Sequence, residues 1–136
     1  MALSANRDVH HYVDQELRSY AVAADAVIYK GGFVGLNAGY ARALTAADQC
    51  VGIAYEAADN TDGSDGDVQV RVFTQGDFLH GLTGAAVTNI GDAVYASADD
   101  TLTFTSSGNS LVGVCVDRPE ANRIILRLNP YHTVTA

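Results

Sequence analysis

Between Gly91 and Leu128, apolar and polar residues alternate in short runs separated by turn residues. Ala93 to Ala96, Thr101 to Thr105, Leu111 to Val116 and Asn122 to Leu128 each read as a strand. In the second run Leu102 and Phe104 face one way and the threonines the other. In the fourth, Ile124, Leu126 and Leu128 share a face. Alternation with period two and a wealth of β-branched residues mark half-buried strands. The spacers Ser97 to Asp100, Ser106 to Asn109 and Asp117 to Glu120 carry turn chemistry.

The same order of elements occurs once before. Phe33 to Leu36, Tyr40 to Leu44, Val51 to Tyr55 and Val68 to Phe73 repeat it, and VGIAYE (Val51 to Glu56) echoes VGVCVD (Val112 to Asp117). Val68, Val70 and Val72 line up with Ile124, Leu126 and Leu128, and Arg71 with Arg127. With two copies this reads as a weak internal duplication, since solenoid arrays need about three or more repeats. The alternative is chance likeness between strands of an all-β chain.

Elsewhere the pattern is less regular. Ala21 to Tyr29 fits strand or helix, and Val27-Ile28-Tyr29 before Lys30-Gly31-Gly32 favours a strand ending in a turn. Asn37-Ala38-Gly39 is a tight-turn signal that makes a hairpin of the flanking runs. Thr74 to Ile90 links the two copies, with turns at Gly76, Gly81 and Gly84 and core contacts from Phe78, Leu79, Leu82 and Val87. Pro130 stops the last strand. Residues 1–20 hold two of the four histidines and few periodic apolar positions, with one or two helical turns allowed over Val13 to Arg18. Helices this short are marginal alone, so this segment reads either as an arm ordered only against something else or as a frayed terminus. The expectation is an all-β fold: a small antiparallel β-sandwich or barrel with two similar strand units and an extended N-terminal arm. Residues 1–20 form the arm and 21–136 a single β domain.

Composition narrows the function. At 136 residues the chain has the length of one domain, large enough to fold without staples. Sixteen acidic against eight basic residues leave a formal net charge of −8, with one lysine and scattered arginines. Nucleic-acid binding relies on clustered Lys and Arg to neutralise phosphates, so neither nucleic acid nor an anionic membrane is an expected partner. No apolar run approaches the ~18 residues of a membrane span. The first residues lack a basic stretch followed by an apolar core, so synthesis in the cytoplasm is expected.

The chemistry-bearing residues carry structural readings. Cys115 lies in a valine-rich strand and reads as a small buried hydrophobe. Cys50 begins the matching strand, and a disulfide between the two is not expected in a cytosolic product. Asp59, Asp62, Asp65 and Asp67 in the stretch AADNTDGSDGD suggest a calcium loop, yet no register fits an EF-hand and no glutamate closes it. A solvated hairpin tip is the better reading. Asp99-Asp100 reads as a solvated turn and His80 as a surface or half-buried histidine. There is no nucleophile elbow, phosphate loop, dinucleotide glycine pattern or zinc-protease motif. No catalytic, cofactor-binding or metal-binding residue is assigned, no cofactor is expected, and enzymatic activity ranks last.

IYKGGFVGL (Ile28 to Leu36), VGIAYE (Val51 to Glu56), VQVRVFTQGDF (Val68 to Phe78), GDAVYAS (Gly91 to Ser97) and RIILRL (Arg123 to Leu128) follow in an order and spacing that resembles phage head decoration proteins, also called capsid cement proteins. The resemblance runs from Ile28 to Leu128, about three quarters of the chain. It implies a structural virion protein of β-sandwich or barrel form on the outer surface of an icosahedral capsid. It also implies a homotrimer that clamps neighbouring major capsid subunits and opposes the pressure of packaged DNA, with terminal arms spread over neighbours. The alternative is a virion-surface or tail module that binds a carbohydrate or host receptor through Tyr40, Tyr95 and Tyr131. The absence of tryptophan weakens it, although tyrosine also makes aromatic platforms.

Overall fold

Where small, β-branched and aromatic residues alternate, the chain is extended, and twelve strands result. In the computed structural model, which describes Ala5 and residues 17–130, they run β1 (Leu17–Ala21), β2 (Val27–Ile28), β3 (Phe33–Asn37), β4 (Tyr40–Ala43), β5 (Gln49–Ala54), β6 (Ala58–Asp59), β7 (Gln69–Phe73), β8 (Gly76–Gly81), β9 (Ala93–Ala98), β10 (Thr101–Thr103), β11 (Ser110–Glu120) and β12 (Arg123–Leu128). The fold is all-β. Two antiparallel five-stranded sheets carry it, with orders β1-β7-β5-β3-β4 and β10-β9-β11-β12-β8, and β2 and β6 form a separate ribbon.

The two sheets have one topology. Counted within each half, the strands stand in the order first, fifth, fourth, second, third, once for β1, β3, β4, β5 and β7 and once for β8 to β12. Backbone bonds match position by position. Val22 N donates to Val68 O at 2.8 Å and Leu82 N to Asn122 O at 2.9 Å; Gly31 N donates to Ala54 O at 3.0 Å and Gly91 N to Cys115 O at 2.7 Å. Both sheets even share a bulge. Val51 is the extra residue between the pairs Val34–Gly52 and Gly35–Cys50, and Val112 between Val94–Gly113 and Tyr95–Leu111. The duplication is therefore real at the level of topology, register and bulge, and VGIAYE and VGVCVD are its equivalent strands. The last strand of each unit needs a correction. Phe73 pairs with Ile53, and Arg127 with Val114, so Arg71 matches Ile125 and not Arg127, a shift of two residues. Period two hides this slip, because a shift of two keeps every side chain on its face.

Inner positions are equivalent too. Val22, Val34, Ala41, Val51, Ala54, Val70 and Val72 fill the hollow of sheet 1, and Leu82, Val94, Leu102, Val112, Cys115, Ile124 and Leu126 face inward from sheet 2. The seams differ. In sheet 1 the small pair Val22 and Ala41 lets the edge strands meet in a parallel bridge, and Ala23 N donates to Ala41 O at 2.9 Å. In sheet 2 the bulkier Leu82 and Leu102 stand at these places, and no bridge joins them among the described residues. That hollow is filled from the other half: Phe33, Leu44, Cys50 and Ile53 project from the outer side of sheet 1 into the sheet 2 core. The sandwich is thus asymmetric, outer face against inner face. Phe33 N also donates to Asp99 O at 2.8 Å, which ties the halves together.

Several expectations shift. Residues 17–20, assigned by sequence to the arm, lie in β1; apart from Ala5 the rest of that segment, like Tyr131 and His132, lies outside the described residues. The linker after Thr74 supplies a full strand, β8, paired along its length with β12. Asp117 to Glu120 continues β11 with two irregularities, and the turn follows at Asn122, whose φ is 62°. The Asn37-Ala38-Gly39 turn is a tight hairpin, with φ of 51° at Ala38 and 87° at Gly39.

Candidate interaction surfaces

The aspartate-rich connector keeps its four aspartates exposed, as expected of a solvated tip, and its backbone also packs as a lid. It leaves β5, contributes β6 to the ribbon with β2, and lies over the open end of sheet 1. Asn60 pins it: 3% exposed, its Nδ2 donates to Val22 O, Ala23 O and Ser64 O at 3.3, 2.9 and 3.0 Å, and its backbone N to Ala26 O at 2.9 Å. The carboxylates accept from backbone amides: Asp65 from Ala24 N and Asp67 from Ser64 N at 2.8 and 2.9 Å, while Asp59 accepts from Thr61 N at 2.9 Å. Asp62 instead donates its own amide to Asp25 Oδ1 at 2.8 Å. The Thr61 hydroxyl and amide hold the Asp59 carboxyl below its usual range. Asn60→Ala is expected to lower stability by about 1–3 kcal/mol, because a buried side chain that bonds Val22 O, Ala23 O and Ser64 O is removed. Urea unfolding checks this, together with faster protease cutting between 56 and 67; unchanged values for both would refute the lid.

No three His, Cys, Asp or Glu side chains group as metal ligands among the described residues. His80 is half-buried, its ring 5.4 Å from that of Phe33 and its Nδ1 2.8 Å from Gly81 O. Asp99 and Asp100 border a groove at the junction of the halves, together with Tyr29, Lys30, Gly32 and His80. The Asp100 carboxylate takes a hydrogen bond from the Thr101 hydroxyl at 2.9 Å. Cys50 and Cys115 are free and buried, and burial pushes the Cys50 thiol up to about 12 and raises that of Cys115. A thiol held neutral in an apolar core is a poor nucleophile.

What remains is surface. The outer face of sheet 2 sets Leu79, 52% exposed, beside Ile125, with the Arg127–Asp77 pair at 2.9 Å next to it. Arg127 holds the Asp77 carboxyl below its usual range by hydrogen bonding. The outer face of sheet 1 carries the Arg71–Glu56 pair at 2.9 Å, with Arg71 5.0 Å above the Tyr55 ring. Such exposed pairs add little stability. Between β8 and β9 a one-turn 3-10 segment, Val87–Asn89, has no buried residue, and Val87 and Ile90 are 62% and 42% exposed. Of the tyrosines proposed for sugar binding, Tyr40 lies on sheet 1 and Tyr95 on sheet 2, and Tyr131 is outside the described residues. Sequence reasoning missed the Val87–Ile90 tip, treating Val87 as core. The signal was there in the repeat, since Val22 to Gly31 and Leu82 to Gly91 have equal length but different partners.

These surfaces can bind macromolecules by shape and apolar contact, and offer no assembled reactive group. A family model described as phage cement protein matches residues 13–128, a span that contains both sheets. No curated protein and no solved structure matches the chain.

Proposed function

The chain belongs to the phage cement protein family, and from that premise we propose that it decorates the outer surface of an icosahedral phage capsid and clamps neighbouring major capsid subunits. It is a capsid-associated structural protein of the virion. The match across both sheets carries this reading, because it takes in the whole two-unit scaffold and not one motif. The proposal extends to a homotrimer, made in the host cytoplasm, that joins the shell after expansion. Residues 1–16 act as an arm over a neighbouring subunit.

The physics supports such a role. Two sheets, one of which fills the core of the other with Phe33, Leu44, Cys50 and Ile53, make one interlocked body. Many modest contacts repeated over a shell add through multivalency. The test is co-sedimentation with expanded, DNA-free capsids. Full-length protein is expected to saturate at a fixed number of copies per shell and to raise the temperature at which the shell comes apart. Removal of residues 1–16, which leaves β1 whole, is expected to weaken binding. Absence of saturable binding by the full chain would overturn the reading.

A further inference from the structure

Sheet 1 closes on itself and sheet 2 does not. In sheet 1 the outermost strands β1 and β4 pack together and meet at the Val22–Ala41 bridge. In sheet 2 their counterparts β8 and β10 stay apart across a groove lined by His80, Gly81, Leu82, Thr101 and Leu102. Two edges are therefore open, and they differ. β10 has three residues, and its register with β9 shifts between Thr101 and Leu102. β8 has six, pairs with β12 in unbroken register, and carries neither proline nor lysine. Proteins blunt open edges with short strands, bulges, proline or lysine, and β8 has none of these.

Leu82 N donates to Asn122 O at 2.9 Å, and the same register continues into β8. Backbone groups along an antiparallel strand bond to alternate sides. Gly76, Phe78 and His80 thus bond β12, and Asp77, Leu79 and Gly81 turn their N–H and C=O groups away from the sheet. We propose that this edge docks the same edge of a second copy of the chain, antiparallel and centred on Leu79. The choice of centre follows from the residues. About Leu79, the two Leu79 backbones exchange bonds, and Asp77 exchanges its bonds with Gly81 of the copy. Each carboxylate then faces a glycine, and Asp77 is already paired with Arg127 at 2.9 Å. Centring on Asp77 would set two carboxylates face to face, which is destabilising. Centring on Gly81 would draw in the buried Ala85, whose N already donates to Leu82 O at 3.2 Å. The two Leu79 side chains, each 52% exposed, meet on the outer face. Gly81 O, 2.8 Å from His80 Nδ1, keeps a second lone pair for the new bond. The contact is isologous and closes at two copies. It is therefore not the three-fold association proposed above, and it stands or falls independently of the capsid reading.

The experiment uses the full chain in solution. Leu79→Cys, mildly oxidised, is expected to give a disulfide-linked dimer, because the Cα atoms of a bonded pair lie about 5.5 Å apart, within disulfide range. Both native thiols are buried. Asp77→Cys and Gly81→Cys are expected to cross-link when mixed and not alone. Position 81 has room, since an added Cβ would meet only Asn122 O, at 3.8 Å. Both cross-links are expected to form at least about tenfold faster than in the control Val87→Cys, which is 62% exposed, because pairing replaces collision with a high local thiol concentration. In sedimentation equilibrium Leu79→Pro is expected to halve the limiting mass, since it removes an outward N–H and leaves the β12 ladder whole. Leu79→Glu, which sets two carboxylates on the dyad, is expected to do the same. Circular dichroism follows the fold of each variant, and if both unfold the cysteine pairs decide. Equal mass for wild type and a folded Leu79→Pro, or cross-linking no faster than in Val87→Cys, overturns the inference. So does Asp77→Cys that cross-links as fast alone as when mixed with Gly81→Cys.

Discussion

Gly52→Ala is expected to cost about 3–5 kcal/mol of stability, the range of backbone strain combined with forced overpacking. Gly52 sits at the bulge of β5 with φ of 148°, and a Cβ there would lie 1.9 Å from Phe73 O. That oxygen belongs to the backbone of β7, which is held between β1 and β5. Neither side can step aside without breaking a ladder. For a chain of this size the loss corresponds to a fall in Tm of roughly 10 °C or more. Gly39→Ala provides the contrast. Its φ is 87°, yet nothing lies within 4 Å of the added carbon, so only conformational strain of about 1 kcal/mol is expected. Equilibrium urea unfolding separates the two. If Gly52→Ala costs no more than Gly39→Ala, the close approach at the bulge is not a constraint. At the equivalent Gly113 an added Cβ would lie 2.1 Å from Arg127 O without a left-handed φ, so Gly113→Ala isolates the collision.

Phe33→Ala is expected to be nearly as damaging, at about 3–5 kcal/mol for a fully buried phenylalanine. Phe33 has no solvent exposure and packs into the core of the other half, beside His80. Its neighbour Val34, also fully buried, points into the hollow of sheet 1. The pair thus reports on two different cores from adjacent positions of one strand. Val34→Ala removes less volume and is expected to cost about half as much. Only Phe33→Ala is expected to speed amide exchange in β8, whose His80 packs against the Phe33 ring. Equal exchange in both variants would mean that the halves do not depend on this side chain for their contact.

Much of the scaffold was legible because its determinants are local. Alternation placed β3, β4, β9 and β12 within a residue or two, and Asn37-Ala38-Gly39 named its hairpin. The echo of VGIAYE and VGVCVD pointed to the true equivalence, since glycine after valine is what the shared bulge demands: Gly52 and Gly113 each meet a carbonyl across the ladder. The fourth strands misled because Val70 and Val72 fit Ile124 and Leu126 as well as they fit Leu126 and Leu128. Only pairing partners decide between those registers. β8 was hidden by the glycines at both its ends and by Leu79 pointing outward, so its alternation looked like a loop. The lid was missed because four exposed aspartates signal solvent, whereas the residue that pins the segment, Asn60, is buried, and three of the carboxylates accept from nearby amides. The surface at Val87 and Ile90 was legible only through the repeat, because exposure there follows from a connector seven residues shorter in another part of the chain.

Two identical halves stacked outer face to inner face would not stop at two. Each added half would leave a fresh outer face and an unfilled hollow, the geometry of an open filament. This chain carries a terminator at each end. The hollow of sheet 1 is sealed by the Val22–Ala41 bridge, so it admits no further half. On sheet 2, Ala93 and Arg127 occupy the outer positions held by Phe33 and Phe73 in sheet 1, so the surface that would continue the stack has lost its aromatic plug and gained a charge. The divergence of the two repeats thus removes, at each end of the pair, the surface that a further half would need.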